Sequence, residues 1–270
     1  MMSRKSKILL VFTTLFVSLL ASCSTVPITG REQLNFIPDS QMNSLSLTEY
    51  KDYISKHKLS TDAAHTQMVK DVGARIQKAV ETYCAQNNLS DRIAGYKWEF
   101  NLVEDSNVNA FAMPGGKVVV NTGLIPVAQN EDGLAVVMGH EISHVIARHG
   151  SERMSQGLLV EMGGVALSTA MSSSPSQTSE LFVKSYGLGT EYGILLPYSR
   201  KHETEADHLG LIFMAMAGYN PNAAIDFWQR MAAASKGSKP IELLSTHPAD
   251  QTRINNLKQF MPEAMKYYKK

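Results

Sequence analysis

Disulfide cross-linking is what this sequence has least means to build. Its 270 residues hold two cysteines, Cys23 and Cys84, which excludes a small fold stapled by several bridges. Long hydrophobic runs are missing too: the apolar stretch near the start, Ile8 to Leu20, has thirteen residues, fewer than the roughly 20 that a bilayer-spanning helix needs. Neither sign of charge dominates, with 26 Lys and Arg against 25 Asp and Glu. Setting aside Arg4, Lys5 and Lys7 leaves 23 basic and 25 acidic residues, a balance of −2. Without a basic surplus, electrostatic capture of nucleic acid is not expected. Tryptophan is scarce, with two copies, yet the hydrophobic content of 44% is enough for one sizeable core. The length is too small for three independent domains, and no internal repeat is present.

The start of the chain has the order of a secretory signal: basic Arg4, Lys5 and Lys7, the apolar stretch to Leu20, then small residues. Leu20-Ala21-Ser22-Cys23 resembles the bacterial lipobox, whose cysteine is alkylated by diacylglycerol and becomes the new N-terminus. The expectation is a signal peptide over 1–22, a lipid anchor at Cys23, and a location on a bacterial cell envelope facing the periplasm. Ser24, in place of an aspartate, points to the outer rather than the inner membrane. Cys84 then has no partner and reads as a small buried residue on a helix.

Pro27, Gly30 and Pro38 mark residues 23–38 as a tether without periodicity, with the folded domain expected over 39–270. Helical spacing runs from Asp39 to about His57 and from Thr61 to about Gln86, the latter with Ser60 or Thr61 as cap. Trp98 to Val103 alternates, and Lys117 to Asn121 is β-branched between glycines, so a small sheet is expected. Asn130 is placed to cap a helix closed by Arg148 and His149 before Gly150. Leu158 to Met171 reads as a buried or substrate-side helix, and Ser172 to Ser179 as a mobile polar loop or lid. Helical patterns return over Ser199 to about Gly218 and Pro221 to about Ala234.

The capped helix carries His140-Glu141-Ile142-Ser143-His144. Histidines four apart project from one helix face, so both imidazoles reach one tetrahedral metal, and the intervening glutamate lies beside an open coordination position. A catalytic zinc needs a third protein ligand. A histidine ten residues after the first would supply one, but that position is Gly150, with His149 one place early. A later glutamate is the alternative, and Ser199 to Asp207 offers Glu203, with Asp207 four residues on and on the same face. Glu203 is suited to ligate, Asp207 to accept a hydrogen bond from a ligating imidazole, and Glu205 is expected to point away. Three ligands and an adjacent acid do not suit a purely structural zinc, which closes with four.

With those motifs in view, the sequence resembles the zinc endopeptidase family of the CaaX prenyl endopeptidases, the mitochondrial inner-membrane stress protease and the bacterial periplasmic quality-control proteases. The residues that carry it are Asn109-Ala110-Phe111-Ala112-Met113-Pro114-Gly115-Gly116, the His140 motif, Ser199-Arg200 with Glu203 to Asp207, and Thr246-His247-Pro248 with Arg253. It covers roughly residues 60 to 258 and looks most like the single-domain bacterial lipoproteins, which lack tetratricopeptide repeats.

The resemblance implies an α+β fold: a mostly helical zincin-like domain with a small sheet beside the zinc-site helix. It implies one Zn2+ per chain held by His140, His144 and Glu203, with Glu141 as general base and Asp207 behind the ligands. His247, with Arg253, is implied to stabilise the transition state, or His247 to cap the zinc in a closed resting form. Val118, Val119, Val120 and Asn121 are expected to offer an exposed strand edge to the substrate backbone. The implied partners are polypeptides, misfolded or misassembled envelope proteins, and a membrane reached through lipidated Cys23. A chaperone-like or scaffolding lipoprotein that keeps the zinc fold only to bind is the alternative, and intact Glu141 speaks against it. His57, His65, His149, His202 and His208 read as solvated or helix-terminal residues.

Overall fold

Valine-rich and alternating segments build the sheet at the centre of the fold. The computed structural model describes residues 23–162, 175–186, 199–234 and 241–269, so the expected signal peptide lies outside the described residues. Strands β1 (Cys23–Thr25) and β2 (Glu32–Leu34) form an antiparallel hairpin. Strands β3 (Glu99–Val103), β4 (Ala110–Met113) and β5 (Lys117–Asn121) form a second sheet in the order β3-β5-β4, with β3 parallel and β4 antiparallel to β5. Leu102, Ala110, Ala112, Val118 and Val120 enter the main core on one face. Val103, Phe111, Met113 and Val119 enter a smaller core on the other.

Among the described residues eight longer helices surround the sheets: α1 (Asp39–Lys56), α2 (Ala63–Gln86), α3 (Glu131–Ile146), α4 (His149–Met162), α5 (Pro175–Tyr186), α6 (Arg200–Met216), α7 (Ala223–Ala234) and α8 (Gln251–Ala264). One-turn helices at Ile125–Ala128 and Glu242–Thr246 connect them. The caps are side-chain acceptors at the first turns. Asp62 accepts from the His65 amide, Asn130 from Gly133 and Asp250 from Arg253, each such bond stabilising by about 1 kcal/mol. Asp62, not Ser60 or Thr61, caps α2. Among the described residues no helix is long and apolar enough to cross a membrane.

The tether expected over 23–38 is folded structure instead. Val26 and Ile37 are buried in the two cores, and Gln33 is buried with them. Two apolar anchors in a short segment are enough to hold it, which its turn residues concealed.

The expected substrate edge at Val118 to Asn121 is also corrected. β5 is the central strand, paired on both sides and buried along its length, so its backbone has no free edge. β4, which periodicity did not reveal, is one of the two edge strands; it is buried along its length and lies against α3.

The polar stretch from Ser172 is not a loop from Pro175 onward. Pro175 starts α5 in the first helical position, where its missing N–H costs nothing, and Leu181, Phe182 and Tyr186 are buried against α4. Gly150 and Gly157 on α4 make this possible, because a Cβ on either would meet the Tyr186 ring at 2.3 Å or Leu181 at 2.7 Å. The rest of the apolar stretch expected to be helical, beyond Met162, and Ser172 to Ser174 lie outside the described residues.

One contact decides where the site forms. α3 and α6 cross at Gly139 and Gly210, where a Cβ on Gly210 would stand 3.1 Å from the His140 nitrogen. Two glycines facing each other let the backbones approach closely, and that approach brings the start of α6 over the His140 motif.

Candidate metal centre

His140, His144, Glu203 and His247 converge, each offering a ligand atom, and those atoms lie within 4.8 Å of one another. α3 supplies the two histidines on one face, α6 the glutamate from its first turn, and the loop before α8 supplies His247. His140 Nε2 is 3.1 Å from His144 Nε2, and the two are 3.4 and 3.3 Å from the Glu203 oxygens. Donors bound tetrahedrally at about 2.0–2.1 Å from a zinc lie about 3.3 Å apart, so these separations fit such an ion.

The protons say the same. His140 Nδ1 lies 2.9 Å from Asp207 Oδ1, a bond it must donate. His144 Nδ1 lies 2.9 Å from His149 Nδ1, and His149 Nε2 lies 3.0 Å from Glu205 Oε2, to which it donates. His149 therefore accepts at Nδ1, and His144 donates to it. With both ligand histidines protonated at Nδ1, both Nε2 atoms present lone pairs to the same point as a carboxylate. Lone pairs 3.1 Å apart repel unless a cation lies between them. Burial works to neutralise Glu203, but the histidines that face it, His247 foremost, outweigh it and hold its pKa well below the usual range.

Glu141, next to His140 in the chain, is 4% exposed, with Oε1 lacking a hydrogen-bond partner. Its nearest ionic neighbour is His247 Nε2 at 3.5 Å. Burial pushes its carboxyl up to about 7, against the pull of His247. Arg253 sits behind the ligands, its Nη2 donating to Asp207 at 2.6 Å and its Nη1 lying 3.1 Å from Glu203 Oε2. Its guanidinium lies 3.2 Å above the Trp228 ring, a cation–π contact that fixes its plane. Nη1 also donates to the carbonyls of His247 and Pro248, at 3.5 and 3.3 Å, so Arg253 ties the His247 loop to the two carboxylates.

Sequence reasoning missed a second polar layer. Arg148, with φ 61°, ends α3 in a left-handed turn, so α4 starts at His149 and folds back over His144. His149 and His202 stack at 4.4 Å between ring centres, and His202 Nε2 lies 3.0 Å from Glu152. Arg31, from the turn between β1 and β2, bridges Glu152 and Glu205. His149, His202 and Glu205 are thus buried members of the site's support: Glu205 does not point away as expected, and His149 and His202, both at helix starts, are helix-terminal but not solvated. The available signal was the density of ionisable residues beside apolar helix faces. His208, by contrast, stays out of the site and bonds Glu263 at 2.8 Å.

Acid should weaken this layer in two stages. Burial holds His149 down at about 4 from its ordinary 6.5, so the unfolded chain binds a proton that the folded one refuses. Stability therefore falls as pH drops from about 6.5 to about 4. Burial favours neutral Glu152 and Glu205, but Arg31 with His202, and His149 with Arg31, outweigh it and hold both at about 2. Their contribution is present above the ordinary 4.5 and is lost as pH falls towards about 2. In urea titrations with chelator, the midpoint should decline first below pH 6.5 and again below 4.5; a flat midpoint from 7 to 4.5 would contradict the neutral buried His149.

Residues 71–261 match the model of Peptidase family M48. The chain belongs to that family of metallopeptidases. It is 35% identical over 243 residues to the mitochondrial metalloendopeptidase OMA1 of Schizosaccharomyces pombe, covering 88% of this chain and 66% of that protein. It is 34% identical over 200 residues to the Saccharomyces cerevisiae protein of the same name, covering 72% of this chain and 54% of the relative. The beta-barrel assembly-enhancing protease of Yersinia pestis is 34% identical over 163 residues, covering 59% of this chain and 33% of that protein. The chain thus spans less than two thirds of the length of these relatives.

The mostly helical α+β fold and the endopeptidase family are as expected. The expected location on a bacterial envelope, outer membrane before inner, is corrected, because relatives in fungi, a plant and animals are mitochondrial metalloendopeptidases.

Proposed function

We propose that this chain is a zinc-dependent endopeptidase that hydrolyses peptide bonds in misfolded or misassembled polypeptides, membrane-associated ones among them. The observation that carries the reading is the convergence of two histidine lone pairs and the Glu203 carboxylate on one point, beside the orphan oxygen of Glu141. His140, His144 and Glu203 hold the ion, one per chain, and Asp207 and Arg253 keep His140 and Glu203 in place. A bound zinc ion supplies Lewis acidity, acidifying water and polarising the scissile carbonyl.

Glu141 takes the proton of the attacking water and later delivers it to the leaving amine. Its raised pKa suits both halves of that task. His247 Nδ1 lies 2.9 Å from Glu203 Oε1 and 3.2 Å from His140 Nε2, a position from which it would cap the ion in a closed resting form. Turnover requires His247 to swing aside, after which it is placed to donate to the developing oxyanion. The substrate backbone runs along the edge of β4, whose outer side pairs with no strand among the described residues. An edge that recognises backbone favours extended, unfolded segments over any particular sequence. The name of one relative, a protease that enhances β-barrel assembly, supports substrates of the misassembled kind.

Purified full-length protein should contain one zinc per chain and cleave unfolded casein. A chelator should abolish cleavage and added zinc restore it. Full zinc occupancy without cleavage would favour the binding-only alternative, and absence of bound metal would sink the site.

A further inference from the structure

We infer that the N-terminal hairpin is part of the metal centre: Arg31, acting through Glu205 and His149, positions His144, so residues before α1 are required for a competent site. The inference rests on the zinc reading and extends it to a segment outside the family match, which begins at residue 71.

The chain of contacts is continuous. Arg31 Nε donates to Glu205 Oε1 at 2.8 Å and Nη2 to Oε2 at 3.1 Å, while Nη1 and Nη2 donate to the two Glu152 oxygens at 2.8 Å each. One planar guanidinium thus grips two carboxylates, from α6 and α4, in a fork that lysine cannot copy. The gripped Glu205 accepts from His149 Nε2 at 3.0 Å, and His149 Nδ1 faces His144 Nδ1 at 2.9 Å. Because Glu205 fixes the proton of His149 on Nε2, His149 is left as an acceptor for His144 Nδ1–H. His144 Nε2 is then bare and aimed at the ion. An outer partner that fixes tautomer and ring orientation raises the basicity of the ligand.

The hairpin is built to hold this grip. Its turn places Ile28 at φ 69°, a strained conformation for a β-branched residue, and closes with Val26 N–H on Arg31 C=O at 2.8 Å. Thr29 Oγ1 donates to Glu205 at 3.0 Å from the same turn. Arg92 ties the hairpin to the zinc-motif helix, donating to Thr25 C=O and, at 3.1 Å, to Ile146 C=O. Strain is retained where the surroundings fix it, and here they fix Arg31 against Glu205.

The test is zinc affinity by chelator competition in the full chain, with the visible spectrum of the cobalt-substituted protein as a second readout. His149→Phe keeps the ring and its stack on His202 but removes both nitrogens, and should weaken zinc roughly 10–100-fold and alter the cobalt bands. Arg31→Ala should weaken zinc in the same direction. His149→Asn, which returns an acceptor near Nδ1, should recover most of the loss. If Arg31→Ala does not fold, His149→Phe and His149→Asn carry the comparison, since the Arg31 grip stays intact in both.

A hairpin with only a structural role would lower the melting temperature in these variants while leaving the zinc affinity of the folded protein unchanged. That result, with wild-type casein cleavage and zinc content intact, would overturn the inference and spare the peptidase reading. A wild type that neither holds zinc nor cleaves casein would overturn both.

Discussion

Replacing Glu141 by glutamine is expected to leave zinc content unchanged and to cut kcat/KM for casein by roughly 10²–10⁴-fold, the usual contribution of a positioned general base. The substitution is nearly isosteric and touches none of the three ligand atoms. It removes the one group whose orphan oxygen adjoins them, 3.5 Å from His247 Nε2. The cost to folding should be small or negative. Glu141 is buried with no cation bonded to it, its carboxyl is pushed up to about 7, and a neutral amide avoids desolvating a charge. Loss of activity with an unchanged or raised melting temperature would separate chemistry from stability. Equal cleavage by both proteins would show that some other group moves the proton. Loss of zinc along with activity would place Glu141 among the ligands, although it is not one of the four residues whose ligand atoms converge.

How much of the site is legible in the sequence follows from how local each feature is. His140 and His144 are one helical turn apart, and Glu203 and Asp207 likewise, so a single period of 3.6 residues encodes their shared face, and in the structure the four side chains meet. His247 and Arg253 lie on a loop and a helix start with no periodicity of their own, and only resemblance to a family brings them to the site. Glu205 departs from its expected place for a specific reason: a one-faced helix would turn it to solvent, but α6 is buried on several faces, with His202, Glu203, Glu205 and Asp207 all covered. His149 depends on the left-handed turn at Arg148, a residue type that gives no signal for one. Gly150, whose position in the chain suggests a helix end, is required for another reason, the Tyr186 ring packed against it.

The strands show the same division. Lys117 to Asn121 forms a strand at the bounds its composition predicts, because a β-branched run between glycines has few other solutions. Its position in the sheet differs from the expected one. A continuous valine run buried on both faces is the mark of an interior strand, and that pattern by itself argues against a free edge. Ala110 to Met113 carries no alternation, so its place as an edge strand emerges only from pairing with β5.

Replacing Glu203 by glutamine is expected to reduce zinc affinity by more than the roughly 10–100-fold that a change in the outer shell produces, since it removes the only anionic ligand. Two neutral imidazoles and an amide oxygen leave the charge of the ion uncompensated in a site where all four converging residues are buried. Glutamine still fills the space and still offers an oxygen to Arg253, whose other nitrogen keeps Asp207 at 2.6 Å. Melting temperatures therefore separate metal loss from misfolding. With zinc at about 1,000 times its Kd, wild type gains about 4.1 kcal/mol, or about 8–16 °C at roughly 2–4 °C per kcal/mol. The variant should gain little from zinc, and the two proteins should melt close together in chelator. A variant that melts far below wild type in chelator would mean that Glu203 holds the metal-free fold together through Arg253, and that α3 and α6 are joined at this point even without the ion. A variant that keeps the full zinc-dependent gain would remove Glu203 from the ligand set and leave His247, 3.2 Å from His140 Nε2, as the third donor.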